Sequence, residues 1–222
     1  MTIRSLLLLA APAALLAGCG SDSGTTGAMQ QSTTRPDCAP EDTACQEDGL
    51  DAPLAMGAKL PLDVRVTARG VSAPKIALEP TRDDILAVEG ATLVGKAPGW
   101  SSVMFVGTDG LVMDFVTLTV EAPERIDVYR LTKDGGVEPS PLPAKIQLAP
   151  GDDFEIAVKA FSGPVRLLGE LDASFAIDAP VATILDSGRP ASRRLRVKSP
   201  GTATLTVEAS GFTKTLSLEV LP

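Results

Sequence analysis

Residues 199–220, SPGTATLTVEASGFTKTLSLEV, decide the fold. Ala203, Leu205 and Val207 alternate with Thr202, Thr204 and Thr206. After Gly211 the alternation resumes, with Leu216, Leu218 and Val220 set against Thr215, Ser217 and Glu219. A period of two belongs to a strand with one buried and one wet face. Pro200-Gly201 opens the first strand and a Gly turn leads to the second, so the stretch reads as two closing strands of a sheet.

The same period runs through most of the chain beyond Leu54. In DFEIAVKAF (153–161), Phe154, Ile156, Val158 and Ala160 oppose Asp153, Glu155 and Lys159. Gly and Pro, 20 and 18 of the 222 residues, recur too often to leave room for a substantial amphipathic helix. Short strands between turn signals predict an all-β fold of sandwiched antiparallel sheets.

The pattern occurs twice. MGAKLPLDVRVTA (56–68) lines up with APGDDFEIAVKAF (149–161), and APGWSSVMFVGTDGLVMDFVTLTV (97–120) lines up with 199–220. A repeat at roughly a hundred residues is a duplicated domain, not a solenoid. The boundaries that follow are 54–122 for the first sandwich and 123–222 for the second, with EAPE (121–124) at the joint.

The N-terminal quarter differs. Arg4 is followed by the apolar run Leu6–Leu16 and the small residues Ala17, Gly18 and Cys19, the order of a secretion signal. The run is shorter than the roughly twenty residues a spanning helix needs, and Pro12 interrupts it. From Gly20 to Pro53 the carboxylates Asp22, Asp37, Glu41, Asp42, Glu47, Asp48 and Asp51 face Arg35 alone, and Leu50 is the one large aliphatic residue besides Met29. Such a stretch cannot offset the entropy of ordering and is expected to be a disordered acidic tether, 19–53. Some 35 flexible residues give a typical reach of about 30–35 Å. Much of the net charge of −8 sits there, and with no basic face of any size nucleic acid is excluded as a partner.

Leu16-Ala17-Gly18-Cys19 resembles the lipobox of bacterial lipoproteins. The resemblance implies a signal peptide over 1–18, a lipidated Cys19 as first residue of the mature chain, and attachment to a membrane through that lipid. Gly20 and Ser21, with no Asp after the cysteine, are similar to outer-membrane sorting in a two-membrane host. Two cysteines then remain, in CAPEDTAC. In an oxidising compartment Cys38 and Cys45 read as a disulfide. A metal site is the alternative, poorly supplied in a chain without His.

The paired Gly57 and Gly151 turns, DDILAVEGATLVGKAPG (83–99), and the Pro98-Gly99 and Pro200-Gly201 turns before closing strands resemble bacterial immunoglobulin-like domains of the second Big family. The likeness implies two tandem immunoglobulin-like β-sandwiches, modules used as spacers, adhesive units or docking domains. Residues 164–191 match poorly, and their strands stay unassigned.

Candidate sites are few. Asp152, Asp153 and Glu155 are the densest carboxylates of the folded part and read as weak metal candidates or a catalytic pair. Arg194, Arg196 and Lys198 supply a counterpart on a neighbouring strand, so cross-strand charge pairing is the expectation. The same basic strip is the candidate contact for an anionic polysaccharide or headgroup. Asp83 and Asp84 read as turn residues. Trp100, the single tryptophan, reads as capping one end of a sandwich, with an exposed contact role as the alternative. With no His, no nucleophile elbow and no phosphate-binding glycine loop, no enzyme and no cofactor are expected. The whole reads as a lipid-anchored envelope protein whose sandwiches bind, adhere or space, with another envelope protein or a polysaccharide as partner. An accessory subunit of an envelope assembly would instead present an apolar patch on one sheet, and a carboxylate enzyme would hold Asp153 or Glu155 in a closed pocket with a raised pKa.

Overall fold

The computed structural model describes residues 31–39, 42–67, 75–133 and 136–222. The signal peptide, Cys19 and the first part of the expected tether, through residue 30, lie outside the described residues. The first sandwich comprises β1 (Gln31–Pro36), α1 (Thr43–Asp48), a 3-10 turn (Gly49–Asp51), β2 (Leu54–Ala55), β3 (Lys59–Thr67), β4 (Ile76–Pro80), β5 (Leu86–Glu89), β6 (Thr92–Gly95), β7 (Gly99–Gly107) and β8 (Val112–Glu121). One sheet has the order β1-β3-β6-β5 and the other β2-β8-β7-β4. All pairs are antiparallel except β2 on β8.

The second sandwich repeats the plan with β9 (Arg125–Arg130), β10 (Lys145–Leu148), β11 (Asp153–Ser162), β12 (Val165–Arg166), β13 (Ala173–Ile177), β14 (Ala182–Asp186), β15 (Ser192–Val197), β16 (Gly201–Ala209) and β17 (Phe212–Val220). One sheet runs β10-β17-β16-β13, with β10 parallel to β17. In the other, β11 pairs with β9, β12 and β15, and β14 closes the far side. β9 on β11 is the counterpart of β1 on β3, and β10 beside β17 the counterpart of β2 beside β8. The chain is thus two tandem immunoglobulin-like β-sandwiches, and β12, β13 and β14 fill the stretch left unassigned from sequence.

This correspondence corrects the expected tether. Residues 31–39 and 42–53 are folded, so the first sandwich begins at β1 and not at Leu54. QSTTRP has no apolar alternation to announce a strand. It is held by a six-residue antiparallel ladder to β3, from Gln31 opposite Thr67 to Pro36 opposite Leu62. The Asp37 N–H then donates to the Pro61 carbonyl at 2.8 Å. Cys45, Leu50 and Ala52 are buried in the core, and Cys38 is bonded to Cys45 with Cα atoms 5.6 Å apart.

Each sandwich buries its inward residues. Leu60, Leu93, Val103, Phe105 and Leu118 fill the first; Ile156, Leu195, Leu205, Leu216 and Leu218 fill the second. Each such side chain contributes about 1.5–3 kcal/mol relative to exposure. The Pro-Gly turns are equivalent in detail. Gly99 and Gly201 have φ of 146° and 144°, and a Cβ there would meet Ile85 at 2.5 Å and Val181 at 2.8 Å. Only glycine combines that backbone with that close approach.

Candidate functional site

The joint between the sandwiches is built from backbone. The segment Leu167–Leu171 leaves β12 and lies along Pro53–Lys59. Leu168 donates to Pro53 and accepts from Ala55, while Lys59 and Glu170 exchange both backbone bonds at 2.9 Å. Leu54 and Leu168, both fully buried, join the two cores. Gly169 is wedged so tightly that a Cβ would lie 2.8 Å from Leu54 Cδ1 and 2.9 Å from Ala58 Cβ.

The N-terminal segment fastens this joint. Buried Asp42 caps α1 by accepting from Cys45 N–H at 3.3 Å, and its other oxygen accepts from Gly169 N–H at 2.9 Å. Arg166 sits nearby over the Tyr129 ring. Burial pulls its guanidinium below the ordinary value, against the opposing pull of Asp42, Tyr129 and Glu47. β1 therefore lies on the first sandwich while the disulfide loop and α1 reach the second. Beside them a cleft of about 300 Å³ carries charges of both signs, Asp37, Lys59, Glu170 and Arg189 among them.

The strand registers order the modules end to end. β1 enters opposite Thr67, at the end of β3 away from the joint. The β7–β8 hairpin turns at that same outer end, since Gly99 and Val120 lie beside Leu54. In the second sandwich the β16–β17 hairpin turns at the joint, where Ser210 approaches Gly57. Gly201 and Val220 consequently lie at the opposite extreme, beside the last residues of the chain.

The predicted carboxylates and cations do meet. Asp153 stands opposite Arg196 and Glu155 opposite Arg194 across β11 and β15. The Asp153 carboxylate accepts from Arg194 at 2.5 and 3.0 Å and from Arg196 at 2.9 Å. The Arg194 hydrogen bond, aided by Arg196, holds the Asp153 carboxyl below its ordinary value against a smaller effect of desolvation. Asp152 accepts from Ala149 N–H at 2.8 Å and shapes the turn before β11. Among the described residues no cluster of three His, Cys, Asp or Glu is arranged to hold a metal. Lys198 is exposed at the outer end. Asp84 pairs with Arg82 at 2.7 Å, and the Asp83 carbonyl accepts from Lys96 at 2.8 Å, as turn residues.

Trp100 does not cap the sandwich end. It is 60% exposed on the outward face of β7, because the strand's alternation turns Ser101 and Val103 inward and leaves Trp100, Ser102, Met104 and Val106 outside. Sequence reasoning also passed over an apolar corner on that sheet, where Leu111, Val112 and Phe115 are each more than half exposed. Its signal was legible: Met104, Val106 and Phe115 stand at outward positions that should be polar.

No protein-family model matches the chain, and no curated protein does. Among solved structures it is similar to a crystal structure of the S-layer protein SbsC (15% identity, TM-score 0.33), covering 73% of this chain and 23% of that one. It is likewise similar to the Escherichia coli adhesin FdeC (12% identity, TM-score 0.31, 90% and 66% covered) and to InvD of Yersinia pseudotuberculosis (15% identity, TM-score 0.31, 77% and 56% covered). The chain spans less than two thirds of each of these three.

Proposed function

We propose that this chain is a lipid-anchored envelope protein whose two sandwiches form a non-catalytic spacer and binding module. One observation carries the reading: the chain enters at the outer end of sandwich one and leaves at the outer end of sandwich two, across a joint fastened by Asp42, Gly169 and the backbone of Leu168 and Glu170. Strands of nine residues make each module about 30 Å long, so the pair holds its far end some ~60 Å from where the chain enters. Arg194 and Arg196 lead toward that far end, with Lys198 beyond them, as the proposed contact for a polysaccharide or envelope protein. The Asp153 carboxylate, exposed and shifted downward between two arginines, argues against the enzyme reading, which needed an enclosed acid shifted upward.

Trp100, 60% exposed on the sheet of sandwich one, favours as a second reading an accessory subunit of an envelope assembly. Protease treatment of intact cells, with a Cys19→Ala control, separates the two. Digestion that is lost in the control supports surface adhesion. Protection until the outer membrane is opened supports the periplasmic reading, and a control indistinguishable from the native chain overturns lipid anchoring.

A further inference from the structure

The corner of sandwich one at the β7–β8 hairpin is built unlike its counterpart. Leu111 is 56%, Val112 54% and Phe115 53% exposed. Val112 pairs with Val106 and Phe115 with Met104, so these side chains share one outward surface. Apart from Trp100 at the other end of β7, the apolar cover of this face lies at the outer end. One pair further along, Ser102 and Thr117 join their hydroxyls at 2.7 Å, and Thr119 follows. At about 3.3 Å per residue the apolar zone is roughly 10 Å deep. In sandwich two the equivalent surface holds Thr206, Glu208, Thr213 and Thr215, and its hairpin abuts sandwich one.

What lies against this corner follows from the chain itself. β1 begins at that same end, twelve residues on from Cys19. Twelve residues reach at most about 40 Å even when fully extended, so the folding of β1 shortens the leash to about a third of the expected tether's full stretch. We propose that this corner rests on the bilayer that holds the anchor, with Leu111, Val112 and Phe115 in the headgroup layer; the proposal rests on the lipid-anchor reading. A depth of about 5–10 Å is what interfacial segments occupy, and it matches the depth of the apolar zone. A protein partner or a second copy would call for an apolar patch centred on the sheet, where the hydroxyl pair stands instead. Three side chains would bind lipid weakly alone, but a short leash raises their effective concentration at the surface. Because the contact is apolar, added salt leaves it unchanged.

Trp100 stands on the same face, seven residues from Gly107, or about 23 Å up the strand, and serves as an internal ruler. The test uses the chain from residue 20 with a hexahistidine extension in place of Cys19, held on phosphatidylcholine vesicles by nickel-chelating lipid and containing acyl-brominated lipid. Two single-tryptophan forms are compared, the native one and Trp100→Phe with Phe115→Trp. The expected result is a blue shift and loss of emission for the Phe115→Trp reporter, unchanged emission from Trp100, and no effect of salt. Leu111→Asp with Val112→Asp abolishes the quenching while circular dichroism stays native; Leu111→Ser with Val112→Thr gives the same loss if the acidic pair disturbs folding. An unquenched Phe115→Trp reporter overturns the proposal, as does quenching of both reporters, which means the face lies flat. A concentration-dependent blue shift without vesicles also overturns it, in favour of a second copy. The anchor reading fails separately, if the mass of membrane-extracted protein lacks lipid on Cys19.

Discussion

The two sandwiches share a strand plan but not a surface. On the outward face of β7 and β8, Trp100, Met104, Val106 and Phe115 hold the positions that Thr202, Thr206, Glu208 and Thr215 hold on β16 and β17. The inward positions keep their character: Val103 matches Leu205, Phe105 matches Val207, and Leu118 matches Leu218. An inward residue must fill a close-packed volume and exclude water. An outward residue answers to whatever the face meets. Two copies of one plan have therefore diverged where burial imposes nothing.

The comparison is broken most severely in the cores. Leu118→Ala and Leu218→Ala, at equivalent and nearly fully buried sites, are each expected to cost about 3–5 kcal/mol. Urea unfolding should give similar losses for both; a much smaller loss in one would mean that its core carries less of the fold. Next comes the joint, which makes one body of two modules. Gly169→Ala forces a Cβ against Leu54 and Ala58 at a φ of 90°, with an expected cost of about 2–4 kcal/mol. Thermal unfolding followed by calorimetry should split into two transitions.

Removing the disulfide as Cys38→Ser with Cys45→Ser should cost about 2–3 kcal/mol. Hydrogen exchange should rise first in β1 and at the Gly169 amide, the sites the loop holds. Acid should touch sandwich two more than sandwich one. Asp153, held down by Arg194, Asp178, held down by the Thr204 N–H, and Glu219, held down by Lys145, lie in the second; Asp84, held down by Arg82, lies in the first. Their folded values are below their unfolded ones, so their contribution is present above the ordinary carboxylate range and fades as pH falls through the folded values. Asp84, Asp153 and Asp178 are exposed and Glu219 is half-buried, so the loss is small, measurable as earlier acid-induced exchange in sandwich two. Smallest of all, Met104→Thr with Phe115→Thr, giving β7 and β8 the residues of β16 and β17, should shift stability by no more than about 0.5 kcal/mol while raising solubility. A large loss would show that this face is packed against something within the chain.

What could be read in the sequence was whatever burial writes locally. β11, β16 and β17 alternate because one face is wet, the Pro-Gly turns recur because Gly99 and Gly201 must pass close to an aliphatic side chain, and Asp153 faces Arg194 and Arg196 because β11 and β15 are neighbours. β1 was illegible because QSTTRP carries no such record. Thr34 and Arg35 alternate between buried and exposed without being apolar, and the strand is held by backbone bonds to β3, which any sequence offers. Asp42 looked like one more tether carboxylate, although it ties α1 to Gly169 more than a hundred residues away.

The sequence by itself determined the all-β class, the duplication, the disulfide partners and the charge-paired strip. Each follows from periodicity, spacing or compartment chemistry acting over a few residues. Tertiary structure alone decided that the first sandwich starts at Gln31, that the N-terminal loop fastens the joint, and that the β7–β8 corner shares the outer end with the start of β1. Those depend on which backbone groups and which ends of strands come together across long separations, and no local pattern of side chains encodes that.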